Sequence, residues 1–439
     1  MTRARLVGTL LLACAPALPA LASACSSGRS APAPSLPAAS QPVIIGVSLG
    51  LTGALAGTAG PAKNATKVAE QQINAVGGLF GRPVEFRIVD DTSDEDPFVK
   101  KTVSGLLDQG AIALLGPVGS QQVVAVYDMV VAKQVIQISS SATSPDLSAK
   151  LGVHDRYFFR TVPPDDLQGK ALVQFALRGP PGSKTDGGTM TAGCKKMAVV
   201  HIDNSYGNSL ATLIGQYLPT KGGSVVIDIK IPPKRIDNYK DQANEIAAKA
   251  PDCMALIAYE DSGAAFMTDI KKVTLPPGFF TIGTDGVYTQ GFLDDGKTGA
   301  VVEGVYGTNA DTNPVTPEFD EFKKLYNTAF PQEPEAYTAN QFDAAMLAIL
   351  AIQKAGPGAD GVKIRDALYD VSKGGQIFSP AQLGEAIQAL QNGVDIDYKG
   401  ASGNVDLDDT GNVISDFIIW KVTNGNFVTI DHVKATDLQ

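Results

Sequence analysis

Short apolar runs recur through the first third of the chain, each separated from the next by enough residues for a helix. Val43–Ser48, Val84–Asp90, Ala111–Gly116 and Val135–Ser139 are four of them. Runs of this length, divided by helical periodicity, predict parallel strands in βαβ units. The segments between them carry that periodicity. Ala65, Val68, Ala69, Ile73 and Val76 recur at helical spacing, with Pro61 near the start and Gly77-Gly78 at the end. Asp96-Pro97 predicts the next helix start, as N-cap and first-turn proline, with Val99, Val103, Leu106 and Leu107 as its buried stripe. Ser120 opens a third helix that runs to Lys133. The pattern then repeats: Lys196–Ile202, Ser224–Lys230, Met254–Ala258 and Gly278–Thr284 predict a second parallel sheet. Tyr337–Lys354 predicts a long packed helix, and Trp420, inside the late strand Phe417–Val422, a buried structural position.

The residues that follow the strands suggest chemistry. The first set is Gly50-Leu51-Thr52-Gly53, Asp90-Asp91, Gly116-Pro117-Val118-Gly119-Ser120 and Ser139-Ser140-Ser141-Ala142-Thr143. Ligands of open parallel sheets sit outside the carboxyl ends of the strands. Apart from Asp90-Asp91, expected to fix its own loop, that edge offers hydroxyls and backbone N–H groups. The pattern also places residues 50–58 and 116–120 at helix N-termini, which favour negative charge. Three loops of the second set carry Asn204-Ser205-Tyr206-Gly207, Tyr259-Glu260-Asp261-Ser262 and Asp285-Gly286-Val287-Tyr288. Glu260 and Asp261 are expected at a solvated edge. One half thus supplies donors for a carboxylate, the other carboxylates and aromatic rings. An α-amino acid needs that pairing.

The N-terminus sets the compartment. Arg3 and Arg5 precede a mostly apolar run from Leu6 to Leu21, and Leu21-Ala22-Ser23-Ala24-Cys25 follows. This predicts a secretory signal over residues 1–24. The small residues before Cys25 resemble a bacterial lipobox, which implies lipidation at Cys25 and a lipid anchor in the cell membrane; plain secretion or a soluble periplasmic location is the alternative. Residues 25–41 then form the anchor cysteine and a flexible tether. A chain of 439 residues exceeds one core, so two domains are expected. With 36 basic against 46 acidic residues, nucleic acid is not an expected partner. No apolar run beyond the signal reaches the ~18 residues of a membrane span. Cys194 and Cys253 each stand just ahead of a strand; if those strands are neighbours the two can form a disulfide, and otherwise they are free thiols. The absence of a CxxC pair and the scatter of His154, His201 and His432 argue against zinc. A serine hydrolase would need a GxSxG elbow and a partnered histidine, and only His201 lies near the expected cleft. No GxGxxG or GxxxxGK[ST] loop is present, and no cofactor is implied. The glycine-rich stretch 179–194 reads as a surface insertion.

Seven segments in order carry a family resemblance. They are 52–78, 90–97 (Asp-Asp-Thr-Ser-Asp-Glu-Asp-Pro), 116–120, 139–147, 158–165 (Phe-Phe-Arg-Thr-Val-Pro-Pro-Asp), 203–207 and 403–412. Over roughly residues 42–430 the chain resembles the leucine/isoleucine/valine-type periplasmic binding proteins, type I solute receptors for ABC importers. The resemblance implies an α/β fold of two Rossmann-like lobes with parallel sheets, joined by a hinge of three crossings. The lobes would comprise 42–163 plus 307–397 and 164–306 plus 398–439. The crossings would lie near Val162–Asp165, Tyr306–Asn309 and Tyr398–Gly403. It also implies roles. Ser120 and Thr143 would hold the ligand carboxylate, and Ser141, followed by Ala142, would offer a backbone carbonyl to the ammonium and an N–H to the carboxylate. Asp285 would pair with the ammonium, and Tyr206 and Tyr259 would close over the ligand. Thr58 stands where a leucine-type receptor has a tyrosine, which leaves amides, urea and aromatic acids open as ligands. The implied partners are a small-molecule ligand and an importer permease. The expected state is a monomer, with a ligand sensor as the alternative role.

Overall fold

Strand burial in the computed structural model, which describes residues 41–150, 156–181, 185–186, 189–190, 193–295 and 301–438, separates central from edge strands. The predicted signal, Cys25 and nearly all of the tether lie outside the described residues, as does much of the 179–194 stretch. The first βαβ series runs β1 (Val43–Leu49), α1 (Ala56–Ala75), β2 (Val84–Asp90), α2 (Phe98–Asp108), β3 (Ala113–Leu115), α3 (Ser120–Ala132), β4 (Ile136–Ser139), α4 (Asp146–Lys150) and β5 (Phe158–Arg160). Its five strands form a parallel sheet in the order β2-β1-β3-β4-β5. Central β1 buries nearly every residue, as expected when helices cover both faces, whereas edge strand β2 is only half-buried.

The chain then forms α5 (Asp165–Arg178), the two-residue strands β6 (Thr185–Asp186) and β7 (Thr189–Met190), β8 (Lys196–Ile202), α6 (Ser205–Thr220), β9 (Ser224–Ile231) and α7 (Lys240–Lys249). It continues through β10 (Cys253–Ile257), α8 (Glu260–Ile270), β11 (Phe280–Gly283), α9 (Gln290–Asp295) and β12 (Tyr306–Ala310). Next come α10 (Pro317–Ala329), α11 (Thr338–Ala355), α12 (Gly361–Ser372), β13 (Gln376–Phe378), α13 (Leu383–Gln391), β14 (Ile396–Tyr398), β15 (Phe417–Thr423) and β16 (Asn426–Val433). The second sheet has the order β16-β15-β12-β11-β10-β8-β9, parallel except where β15 and β16 return antiparallel. Helix α11 packs on α1, β3 and β4 of the first sheet and is buried from Thr338 to Gln353.

Several boundaries differ from expectation. Val76 falls just past the end of α1 and is exposed, because the helix stops one residue earlier. Helix α2 begins at Phe98, so Pro97 is its N-cap and Asp96 lies outside it, paired with Lys100 at 2.7 Å. Helix α3 opens at Ser120 as expected, and it ends at Ala132 with Lys133 as its C-cap. The crossing expected at Tyr306–Asn309 moves, since all of β12 through Ala310 pairs with β15. The third moves further. Buried Asp343 of α11 accepts from Tyr398 Oη at 2.7 Å, from the Ala401 and Ser402 N–H groups at 2.9 and 2.8 Å, and from Ser402 Oγ at 2.6 Å. Gly411 O accepts from Arg160 N at 3.1 Å. Residues 398–411 therefore stay with first-sheet elements, and the chain joins the second sheet only at β15.

Trp420 is fully buried, as expected, and its ring occupies the space above Gly307, where any Cβ would overlap it. Cys194 and Cys253 form a disulfide at the leading edge of neighbouring strands β8 and β10. It closes a span of 59 residues. Replacing both cysteines with serine should cost about 4 kcal/mol in denaturant unfolding.

A pH effect follows from Asp91, which is buried and accepts from Ser48 Oγ at 2.7 Å and Ser93 N at 3.1 Å. Burial lifts its carboxyl to about 6, against the pull of those bonds. A folded-state value above the unfolded one favours the fold fully below pH ~4, and the gain is lost as pH rises to ~6. Asp91→Asn should flatten that decline in the unfolding midpoint between pH 4 and 6.

Candidate functional site

The carboxyl ends of the two sheets face each other across a cleft. On the first-lobe side, the loop after β4 is folded back on itself. Ser139 Oγ donates to Pro117 O at 2.7 Å and accepts from Ala142 N at 3.1 Å, and Ser141 Oγ donates to Val118 O at 3.0 Å. Ser120 Oγ accepts from Ser144 N at 3.2 Å. Arg160, fully buried behind the loop, donates to the carbonyls of Ala142 and Ser144 at 3.1 and 3.0 Å. It also donates to Asn412 Oδ1 and Ser148 Oγ, both at 2.7 Å. Two of the loop's carbonyls are thus drawn away from the cleft. Helix α3 begins above with no side-chain cap and no acid in its first turn, so its leading N–H groups favour an anion. Thr143 is buried at the cavity wall.

The opposite side centres on Asp285, which follows β11. Tyr206 Oη donates to its Oδ1 at 2.6 Å, and Tyr337 Oη lies 3.0 Å from its Oδ2. Burial pushes the Asp285 carboxyl above the usual carboxylate range, and the two tyrosine hydroxyls oppose that rise. Asp165, at the start of α5, is also fully buried. Burial, and then the neighbouring Asp285 charge, raise it well above the ordinary value. Asp285 lines the interlobe cavity and Asp165 does not. The rings of Tyr206 and Tyr259 stack at 5.9 Å with an 8° interplanar angle, and Asn204 Nδ2 donates to Tyr259 Oη at 3.2 Å.

Thr58, Ser120, Ser141, Thr143, Tyr206, Tyr259 and Asp285 all line one interlobe cavity. Ala142 does not: its side chain is fully buried behind the wall, its N–H goes to Ser139 and its carbonyl to Arg160. Asp90 and Asp91 hold their loop instead of reaching the cavity, Asp90 accepting from Thr52 N at 3.2 Å and Oγ1 at 2.8 Å. Glu260 is a correction. Expected at a solvated edge, it forms part of the cavity wall with Thr289, whose Oγ1 donates to its Oε2 at 2.9 Å. Tyr337 was not singled out from the sequence. The start of α11, whose N-cap it is, brings it to the cavity, in a left-handed backbone conformation (φ 63°). An aromatic residue at the start of a predicted long helix was the available signal.

Side-chain contacts bridge the lobes directly. Asn204 Nδ2 donates to Glu95 Oε1 at 2.7 Å, Ser205 N to Gln121 Oε1 at 3.1 Å, and Ser144 Oγ to Ser209 Oγ at 3.0 Å. The cleft is closed, with a cavity of about 30 Å³, room for a water or two. Among the described residues no group of three or more His, Cys, Asp or Glu side chains is placed to hold a metal. His201 places its ring nitrogens against Ile202 O at 3.2 Å and Asp228 at 3.1 Å.

A sequence model described as a periplasmic binding protein matches residues 42–423. The chain belongs to that family. A chemotactic signal transduction system substrate-binding protein, BasB, from Halobacterium salinarum is 24% identical over 416 residues, 90% of this chain and 91% of the relative. The Leu/Ile/Val-binding protein BraC3 of Rhizobium johnstonii is 26% identical over 337 residues, 76% of this chain and 85% of the relative. Among solved structures, the branched-chain amino acid transporter substrate-binding protein LivJ of Streptococcus pneumoniae, in complex with isoleucine, superposes with a TM-score of 0.72. That pair is 18% identical, and the match covers 90% of this chain and 100% of the other, so the two share the type I fold. No described helix of this periplasmic binding protein is long and apolar enough to cross a membrane.

Proposed function

We propose that this binding protein is an extracytoplasmic lipoprotein that captures an α-amino acid between its lobes and delivers it to an ABC importer. One arrangement carries the reading. Asp285, buried and held by two tyrosine hydroxyls, shares a cavity with the hydroxyls of Ser120 and Thr143 and the leading turn of α3. An ammonium fits the first and a carboxylate the second. No lysine, arginine or histidine is among the residues lining that cavity. A simple aromatic acid would bring a negative charge to Asp285 with nothing to offset it, so a zwitterion is favoured over benzoate-like ligands. The Leu/Ile/Val-binding relative supports transport of a branched-chain type, while Thr58 leaves the side-chain wall unlike that of a leucine receptor. Cys25 and the preceding apolar run support a lipid anchor.

A sensory role is the second reading, and the halobacterial relative's name favours it. Neighbouring importer or signalling genes separate the two. Thermal unfolding against the twenty L-amino acids, simple amides, urea and aromatic acids tests the ligand class. A ligand at ~100 times its Kd stabilises by ~2.7 kcal/mol. Stabilisation by amino acids alone is the expected result, and stabilisation only by acids lacking an ammonium would discard the role of Asp285.

A further inference from the structure

Glu260 is the first residue of α8 in the second lobe, yet its carboxylate reaches the first. A Cβ built on Gly57 of α1 would overlap Glu260 Oε2, and so would one built on Gly291 of α9. The carboxylate is therefore wedged between two bare backbones from opposite sides of the cleft. Thr289 Oγ1 fixes it there at 2.9 Å. Helix α1 is 20 residues long, but its N-cap, Leu55, supplies no side-chain bond and its first turn holds no acid. The leading N–H groups and the positive end of the macrodipole thus have no carboxylate from their own first turn. Glu260 brings one from the opposite lobe, and as the first residue of α8 it serves that helix as well.

We propose that Glu260 is the positioning residue that couples solute capture to closure, its carboxylate seating against the first turn of α1 where Gly57 leaves room. The idea rests on the lobes opening and closing around a solute, as proposed above. It differs from the Glu95, Gln121 and Ser144 bridges in its place, since its contact lies in the wall of the ligand cavity itself. Gly57 is a costly residue inside a helix, where alanine is preferred by roughly 1 kcal/mol. Alanine there would overlap the Glu260 carboxylate only in the closed form.

Small-angle scattering of the ligand-free protein, comparing wild type, Glu260→Ala, Glu260→Gln, Gly57→Ala and the Gly57→Ala/Glu260→Ala double variant, tests this directly. Glu260→Ala should lower the closed-to-open ratio about fivefold, the shift given by losing a well-placed charge at a helix N-terminus. Glu260→Gln, which keeps the shape and loses the charge, should fall between it and wild type. Gly57→Ala should open the protein as much as Glu260→Ala without lowering the melting midpoint, and the double variant should open no further than Glu260→Ala alone. An unchanged closed population in Glu260→Ala overturns the proposal, as does an additive effect in the double variant. The measurement needs no ligand. If closure follows Glu260 while no amino acid binds any variant, the solute assignment fails and the latch stands.

Discussion

Asp285→Asn should lose amino-acid binding while the unliganded protein becomes no less stable at neutral pH. The carboxylate is the buried acceptor that the ligand's ammonium would meet, and removing one partner of such a pair costs about 2–5 kcal/mol, or ~30-fold to several thousand-fold in affinity. The unliganded side of the cycle moves the other way. Burial holds the Asp285 carboxyl above its ordinary value, and so its ionisation weighs against the fold once pH exceeds the unfolded-state value. Asparagine removes that charge and can still pair with Tyr206 and Tyr337. Isothermal titration with the best amino acid from the panel, alongside thermal unfolding without ligand, reads both quantities. Retained affinity would remove Asp285 from the ammonium role. Lost affinity together with a collapsed melting midpoint would show a structural defect instead.

Arg160→Met should be the more damaging change to the fold. The guanidinium holds the carbonyls of Ala142 and Ser144, Ser148 Oγ and Asn412 Oδ1, all from a fully buried position. Burial lowers it to about 10, with Asp165, Asp166 and Asp408 opposing, so it remains charged at neutral pH. Methionine fills similar space but leaves the two carbonyls without that donor and the neighbouring acids without their cation. A loss of about 3–5 kcal/mol in denaturant unfolding is expected. Affinity should fall as well, because the Ser141–Ser144 loop is no longer drawn back from the cleft. Lysine should not rescue the variant, since one ammonium cannot reproduce the fork that reaches both carbonyls.

Local patterns explain how much of this was readable in advance. The strands were legible because burial on both faces leaves an unbroken apolar run, and their loops because hydroxyl and glycine residues cluster where parallel strands end. Seven of the eight residues expected around the ligand line one cavity. Ala142 was misplaced because sequence gives the order of a loop but not which way each peptide turns; Ser139 and Arg160 decide that here. Glu260 was read as a surface residue because its partner, Gly57, lies some two hundred positions away and belongs to the other lobe. The second and third hinge crossings slipped for a similar reason. Asp343 retains residues 398–402 through four hydrogen bonds, and nothing in the local composition of that stretch records it.

Trp420 has a practical consequence. It is the single tryptophan of the chain, and it packs with Tyr288 and Phe427 inside the second sheet, at ring distances of 5.6 and 5.0 Å. Its surroundings belong wholly to one lobe, so a rigid rotation about the hinge leaves them unchanged. Intrinsic emission from this indole is therefore a clean gauge of unfolding and nearly blind to capture. Following solute uptake optically calls for a dye placed across the cleft mouth, and the native indole then serves as the internal standard.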